Sequence, residues 1–98
     1  MVKTTGFMTD LEKYRAGIDL ADRQLIDILA HRFGLAAEIG KIKHREGISV
    51  LQSARRDEII SSRKEYALKA GLSEKFAEEI MNLVHSESVR IQQEFAEK

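Results

Sequence analysis

Between Leu11 and Ile42 the apolar residues return in alternating steps of three and four: Leu11, Tyr14, Ile18, Ala21, Leu25, Ile28, then Leu35, Ile39 and Ile42. That rhythm sets all of them on one stripe of an α-helix. The chain contains no proline, so no ring clash or missing donor interrupts the pattern. Thr9 followed three residues later by Glu12 forms a capping box, so the helix is predicted to run from Thr9 to Lys43, ahead of His44-Arg45-Glu46-Gly47. Such a helix rises about 51 Å, whereas a globule of this chain length is about 32 Å across. The stripe would outrun any monomeric core, and a long exposed apolar stripe is a liability until something covers it. Twofold self-association is the simplest cover. The fold predicted is all-α: three helices with a long first helix, paired in an intertwined helical homodimer.

The remaining sequence supplies the other two helices. Ser49-Val50-Leu51-Gln52 offers a second capping box, which starts a helix between Ser49 and Ser53. Its apolar positions are Ile59, Ile60, Tyr66, Ala67 and Ala70, and Gly71 suits the residue just past its end. Ser73 caps a third helix carrying Phe76, Ile80, Leu83, Val84, Ile91 and Phe95. Gly17, Gly34 and Gly40 fall inside the first helix, where each costs roughly 0.5–1 kcal/mol relative to alanine. They mark either close helix packing or a mild bend. Residues 1–8 read as a flexible N-terminal arm and residues 9–98 as a single domain.

Composition removes several function classes. Sixteen Lys and Arg balance sixteen Asp and Glu, leaving no net field to draw in nucleic acid or a membrane surface. Without cysteine there is no disulfide or thiolate chemistry. No apolar run reaches the roughly 18–20 residues that cross a bilayer, and Met1 to Thr9 lacks the apolar region of a secretory signal. A cytoplasmic location is the expectation. His31, His44 and His85 have no metal-ligand spacing, and neither a phosphate-binding glycine loop nor a nucleophile–base signature occurs. No metal and no cofactor are expected.

What stands out is polar chemistry on greasy faces. Arg32 occupies a position of the first stripe, and its neighbours three and four away are Ile28, Leu29, Leu35 and Ala36. A buried guanidinium without a counter-charge costs several kcal/mol, so Arg32 calls for a carboxylate from elsewhere or an anionic ligand, unless it snorkels to water. Lys43 follows eleven residues on, about three turns, with an offset of about 20°. Both cations leave one face about 16 Å apart, near enough for long side chains to converge on a small dianion. Lys43 at a helix end also complements the macrodipole. Arg15 lies too far along a straight helix to join them, but in an antiparallel dimer it reaches the partner's site; Glu12 and Asp19 could equally hold it in surface pairs. On the third helix Ser88 and Gln92 sit one turn apart along the stripe of Ile80, Val84, Ile91 and Phe95. A buried glutamine needs partners, either an interhelical bond or a ligand. Arg55 has Glu58 as a local partner, whereas Arg56 has none three or four residues away.

The stretch Arg32 to Lys43, ending Glu38-Ile39-Gly40-Lys41-Ile42-Lys43, resembles the first helix of the all-helical chorismate mutases. Without a gap, Arg55 falls on that family's second-helix arginine, and Ser88 and Gln92 match its third-helix Ser-xxx-Gln. The resemblance spans Arg15 to Gln92. It implies rearrangement of chorismate to prephenate in phenylalanine and tyrosine biosynthesis, without metal, cofactor or covalent intermediate. It implies that Arg32, Arg55 and the partner's Arg15 hold two carboxylates, that Ser88 contacts substrate, and that Lys43 and Gln92 donate to the breaking ether oxygen. Two positions depart from the pattern. Gln52 stands where the family commonly has Asp, and Arg56 stands where a Glu commonly contacts the ring hydroxyl, so recognition of that hydroxyl by Gln52 and Arg56 takes a different form. Two other readings stay open: an isochorismate pyruvate lyase, which shares the fold and cationic pocket, and a helical dimerisation module whose polar stripe residues only set register.

Overall fold

The computed structural model describes residues 9–96; the arm expected over residues 1–8 lies outside that range. Three helices follow in order, α1 (Asp10–Glu46), α2 (Ser53–Lys69) and α3 (Glu74–Ala96). The described residues contain no strand.

Helix α1 begins as its capping residues require. Thr9 Oγ1 accepts the Glu12 amide at 3.1 Å, and the Thr9 carbonyl accepts the Lys13 amide at 3.0 Å. The helix ends at Glu46, three residues beyond the expected stop, because a glycine and not the change in hydropathy terminates it. Gly47 has φ +68°, a left-handed conformation that costs an L-residue about 1–2 kcal/mol. From there the Ile48 amide reaches back to the Lys43 carbonyl at 2.8 Å and the Gly47 amide to His44 at 3.4 Å. Two carbonyls that the helix leaves orphaned are thereby satisfied. Helix α2 stops by the same device. Gly71 has φ +88°, and the Leu72 and Gly71 amides bond the carbonyls of Ala67 and Leu68 at 3.0 and 3.1 Å.

The start of α2 departs from the expected capping box. Gln52 is the N-cap and makes no side-chain cap bond, while Ser49 Oγ donates to the Leu51 carbonyl at 3.2 Å. Ser49 is thus spent within the connection. Ser73 does cap α3, its Oγ accepting the Phe76 amide at 3.2 Å.

Two compact units divide between Arg32 and Phe33. In the first, the N-terminal part of α1 has its apolar side chains on the surface: Tyr14, Ile18, Ile26 and Ile28 are each at least 60% exposed. The second unit holds the end of α1 with α2 and α3, and its buried residues are mostly small. Ala36, Ala67, Ala77, Gly40 and Ser88 are buried, together with Ile59 and Gln92. Small side chains let helices approach closely, and Gly40 is where this is tightest. A Cβ added there would lie 2.9 Å from the Gln92 Cα, whereas none of Gly17 or Gly34 has a neighbour within 4 Å of that point. Close packing is therefore the reason for glycine at position 40, and the other two have open space around them. Lys64 ties α2 to α3 through Glu74 at 3.2 Å and Glu78 at 3.3 Å. Tyr66, expected on the apolar face of α2, is exposed; Ile59 and Ala67 occupy that face, and one residue's step of about 100° turns Tyr66 away.

Replacing Gly71 by Ala should lower the unfolding free energy by about 1–2 kcal/mol, read from urea denaturation followed by circular dichroism. Gly34→Ala, on an open helical position, should raise it by about 0.5–1 kcal/mol. Equal effects at the two positions would contradict the assignment of Gly71 to a left-handed helix stop.

Candidate active site

Of the polar residues that interrupt the greasy faces of α1 and α3, Lys43 and Gln92 meet. Lys43 lies one turn beyond Gly40, on the same side of α1, and the contact of Gly40 with Gln92 brings α3 against that side. Lys43 Nζ donates to Gln92 Oε1 at 2.8 Å and to the Val50 carbonyl at 3.2 Å. The Val50 carbonyl is presented by the segment that Gly47 turns back after α1. Gln92 is 8% exposed and Ser88, one turn before it on α3, is 5% exposed. The amide of Gln92 is therefore confined in a seam where its donors and acceptors need partners.

Hydrogen-bond inventory decides how this pair presents itself. An ammonium has three donors and no acceptor. Two are taken by Gln92 and Val50, leaving one N–H. Because the ammonium can only donate, Gln92 must turn its oxygen toward Lys43, which sends its NH₂ the other way. Among the described residues that NH₂ has no hydrogen-bond partner. Burial lowers the Lys43 pKa below the ordinary lysine range, since removing water disfavours the charged form. The result is a pair of oriented donors, one of them charged, in partly desolvated surroundings where each is worth more than in water. Such an arrangement suits an oxygen that carries or acquires negative charge.

The other candidate residues are found in different states. Arg55 is exposed and donates to Glu58 at 2.7 Å, the local partner the spacing suggested. Gln52 is exposed at the start of α2, where its carbonyl accepts the Arg56 amide at 3.1 Å. Arg56 donates to Asn82 Oδ1 at 2.6 Å and lies 3.7 Å from Asp57. It lines an open groove of about 550 Å³ between α2 and α3, together with Ile60, Lys64, Leu68, Glu78 and Asn82. Neither Lys43, Ser88 nor Gln92 lines that groove. Its lysine is already engaged by two carboxylates, so on charge alone it is a poor receptor for a dianion. Arg15 and Arg32 belong to the first unit, Arg15 exposed and Arg32 half-buried.

Two partners in this picture had no sequence signature. The Val50 carbonyl is a main-chain acceptor, and only Gly47 hinted at the turn that delivers it. Asn82 meets Arg56 across two helices, a pairing that spacing along one helix does not reveal. Among the described residues no group of His, Cys, Asp and Glu could hold a metal ion, and no helix is long and apolar enough to cross a membrane.

Residues 14–93 match the chorismate mutase type II family. The chain belongs to that family. The match takes in every candidate side chain from Arg15 to Gln92. Among curated relatives, the chain is 33% identical over 92 residues to the T-protein of Haemophilus influenzae, covering 94% of this chain and 24% of that protein. It is 32% identical over 81 residues to the T-protein of Enterobacter agglomerans, covering 83% and 22%. It is 28% identical over 83 residues to the 4-amino-4-deoxychorismate mutase of Streptomyces venezuelae, covering 85% and 81%. The chain thus spans about a quarter of the length of the two T-proteins and most of the length of the third relative. It carries a chorismate mutase type II domain on an all-helical fold.

The direct check on the pair is a titration of the Lys43 side chain by NMR in isotopically labelled protein. The Lys43 midpoint should fall below the ordinary lysine range, and Gln92→Leu should lower it further by removing an acceptor of the ammonium. A wild-type midpoint at the ordinary lysine value would show that the ammonium is fully hydrated, against this geometry.

Proposed function

We propose that this chorismate mutase type II domain converts chorismate to prephenate by holding the dianion in a compact conformer and stabilising charge on its ether oxygen. The observation that carries the reading is the Lys43–Gln92 pair, with one ammonium N–H and one amide NH₂ left to donate. The rearrangement is unimolecular: the ether C–O bond breaks as a new C–C bond forms, and all electrons move within the substrate. No proton, hydride or group enters or leaves, so acid, base and nucleophile have no task. What the residues must do is bind, orient and meet the negative charge growing on the ether oxygen. Lys43 and Gln92 donate to that oxygen. Donors of this kind are worth roughly 3–4 kcal/mol each, so two supply most of the ~8 kcal/mol behind a 10⁶-fold acceleration. Holding the reacting carbons close supplies the rest. Arg32, Arg55 and Arg15 of a second copy hold the carboxylates by charge-assisted bonds, and Ser88 contacts the substrate. Gln52 and Arg56 stand at the positions that would meet the ring hydroxyl, a contact for which Arg56 must leave Asn82.

The working unit in this reading is an intertwined homodimer in the cytoplasm, with Arg15 donated across the interface and no role for nucleic acid or membrane. The exposed apolar side chains of the first unit support it, because a second copy of α1 would cover them.

Purified protein supplied with chorismate should yield prephenate, identified by NMR. Isochorismate and 4-amino-4-deoxychorismate run in parallel define the substrate. Lys43→Ala should lower kcat by about 10²–10³-fold with a smaller change in KM. Pyruvate release without prephenate would replace the mutase reading by the lyase, and a Lys43→Ala loss confined to KM would remove the ether-oxygen role.

Subunit mixing tests the donated arginine. Assayed at chorismate well below the wild-type KM, Arg15→Ala and Lys43→Ala, each nearly inactive alone, should on mixing and re-equilibration recover about a quarter of wild-type activity, since half the dimers are mixed and each then has one intact site. Mixtures no more active than their components would place Arg15 outside the partner's site.

A further inference from the structure

We propose that Gly40 is a positioning residue of the site: its missing side chain sets the separation at which Lys43 engages Gln92. The inference rests on the catalytic reading of that pair and adds a residue that touches no substrate.

Glycine inside a helix is unfavourable by roughly 0.5–1 kcal/mol, so its place in α1 needs a local reason. At Gly40 an added Cβ would lie 2.9 Å from the Gln92 Cα, 2.9 Å from Phe95 Cδ2 and 3.3 Å from the Gln92 carbonyl oxygen. The Phe95 ring can rotate aside. The Gln92 main chain cannot yield unless α3 itself moves, and carbon–carbon contacts settle at about 3.5–4.0 Å, so a methyl at position 40 displaces α3 locally by roughly 0.5–1 Å.

The direction of that displacement matters for Lys43. Its ammonium is also tied to the Val50 carbonyl, on the segment that α1 itself turns back through Gly47. Lys43 therefore stays with α1 while Gln92 leaves with α3. A bond of 2.8 Å lengthened by roughly 0.5–1 Å falls at or beyond the limit of a useful hydrogen bond. Once the ammonium no longer fixes the amide oxygen, the Gln92 NH₂ loses its orientation as well. One methyl group thus uncouples the two donors without altering either.

The test is Gly40→Ala assayed by steady-state kinetics on chorismate. The expected result is a fall in kcat of about 10–100-fold, the scale of a sub-ångström to 1 Å misplacement, with KM changed by less than about threefold. In a Gln92→Ala background the same substitution should add little, because the group it acts through is gone. An equal penalty in both backgrounds would reduce Gly40 to a packing residue and overturn the proposal. The side-chain amide signal of Gln92 in ¹H–¹⁵N spectra, without substrate, supplies a readout independent of turnover and should shift in Gly40→Ala. If wild type does not turn over chorismate but the signal shifts, the catalytic reading fails and the positioning of Gln92 by Gly40 stands. An unmoved signal overturns the positioning role whatever the kinetics. Should Gly40→Ala lose its helical circular dichroism, Phe95→Leu added to it removes the ring contact while keeping the main-chain one, and the same measurements are made there. A chain unfolded in both forms would assign Gly40 to the core alone.

Discussion

A lysine ammonium drawn partly out of water is the constraint around which the second unit is arranged. Desolvating a charge is expensive unless acceptors replace the lost water. For Lys43 those acceptors come from two different places, the Val50 carbonyl after α1 and the Gln92 oxygen on α3. Each depends on a glycine. Gly47 supplies the left-handed turn that brings the chain back under Lys43, and Gly40 admits the α3 main chain at close range. Gly40 weakens its helix locally while Gly47 ends it, and both are justified by what they let the ammonium reach.

The three-helix plan was legible because it rests on local chemistry. Thr9 and Ser73 cap α1 and α3 as their spacing indicated, and Gly71 stops α2. The errors are equally local. The apolar pattern fades at Lys43 and points to an end there, whereas the helix continues to Glu46, just ahead of Gly47. Ser49 has the right spacing for a cap but bonds within the turn, a choice made by the chain reversal and not by its own dipeptides. At the site, Lys43 and Gln92 were visible as polar residues on apolar stripes, and they meet. The Val50 carbonyl was not visible, since every residue carries a carbonyl and only tertiary geometry singles one out. Gly40 was visible as an oddity with two explanations; the distance to Gln92 selects one.

A core built from alanine, glycine and serine brings helices close but buries little apolar surface per residue. At about 25 cal/mol per Å², such contacts give the second unit limited hydrophobic stabilisation. The large aliphatic residues of α1 meanwhile stay in water, Leu25, Ile28, Leu35 and Ile39 among them. This division has a physical logic under the dimeric reading. Small residues allow the intrachain seam to narrow until Lys43 and Gln92 touch, while the bulky residues are kept for contact with a second copy. Packing that defines the donors and packing that supplies stability then fall on different faces of one helix.

The same separation extends to the chemistry. In the rearrangement the two carboxylates carry the same charge in substrate and transition state, so cations that grip them lower both states alike and act mainly on KM. Arg55, exposed and held only by a surface pair with Glu58, fits that task, since an exposed pair of this kind is worth under about 1 kcal/mol and exchanges readily for a substrate carboxylate. The ether oxygen differs, because it gains charge only as its bond breaks. Donors reserved for it must be fixed beforehand, or the cost of orienting them falls on the reaction itself. Lys43 and Gln92 are the residues whose freedom the fold has removed, by mutual hydrogen bonding and by the narrow seam at Gly40. In the proposed reading, Arg55 can exchange its surface partner for a carboxylate, whereas the two donors are held in place beforehand.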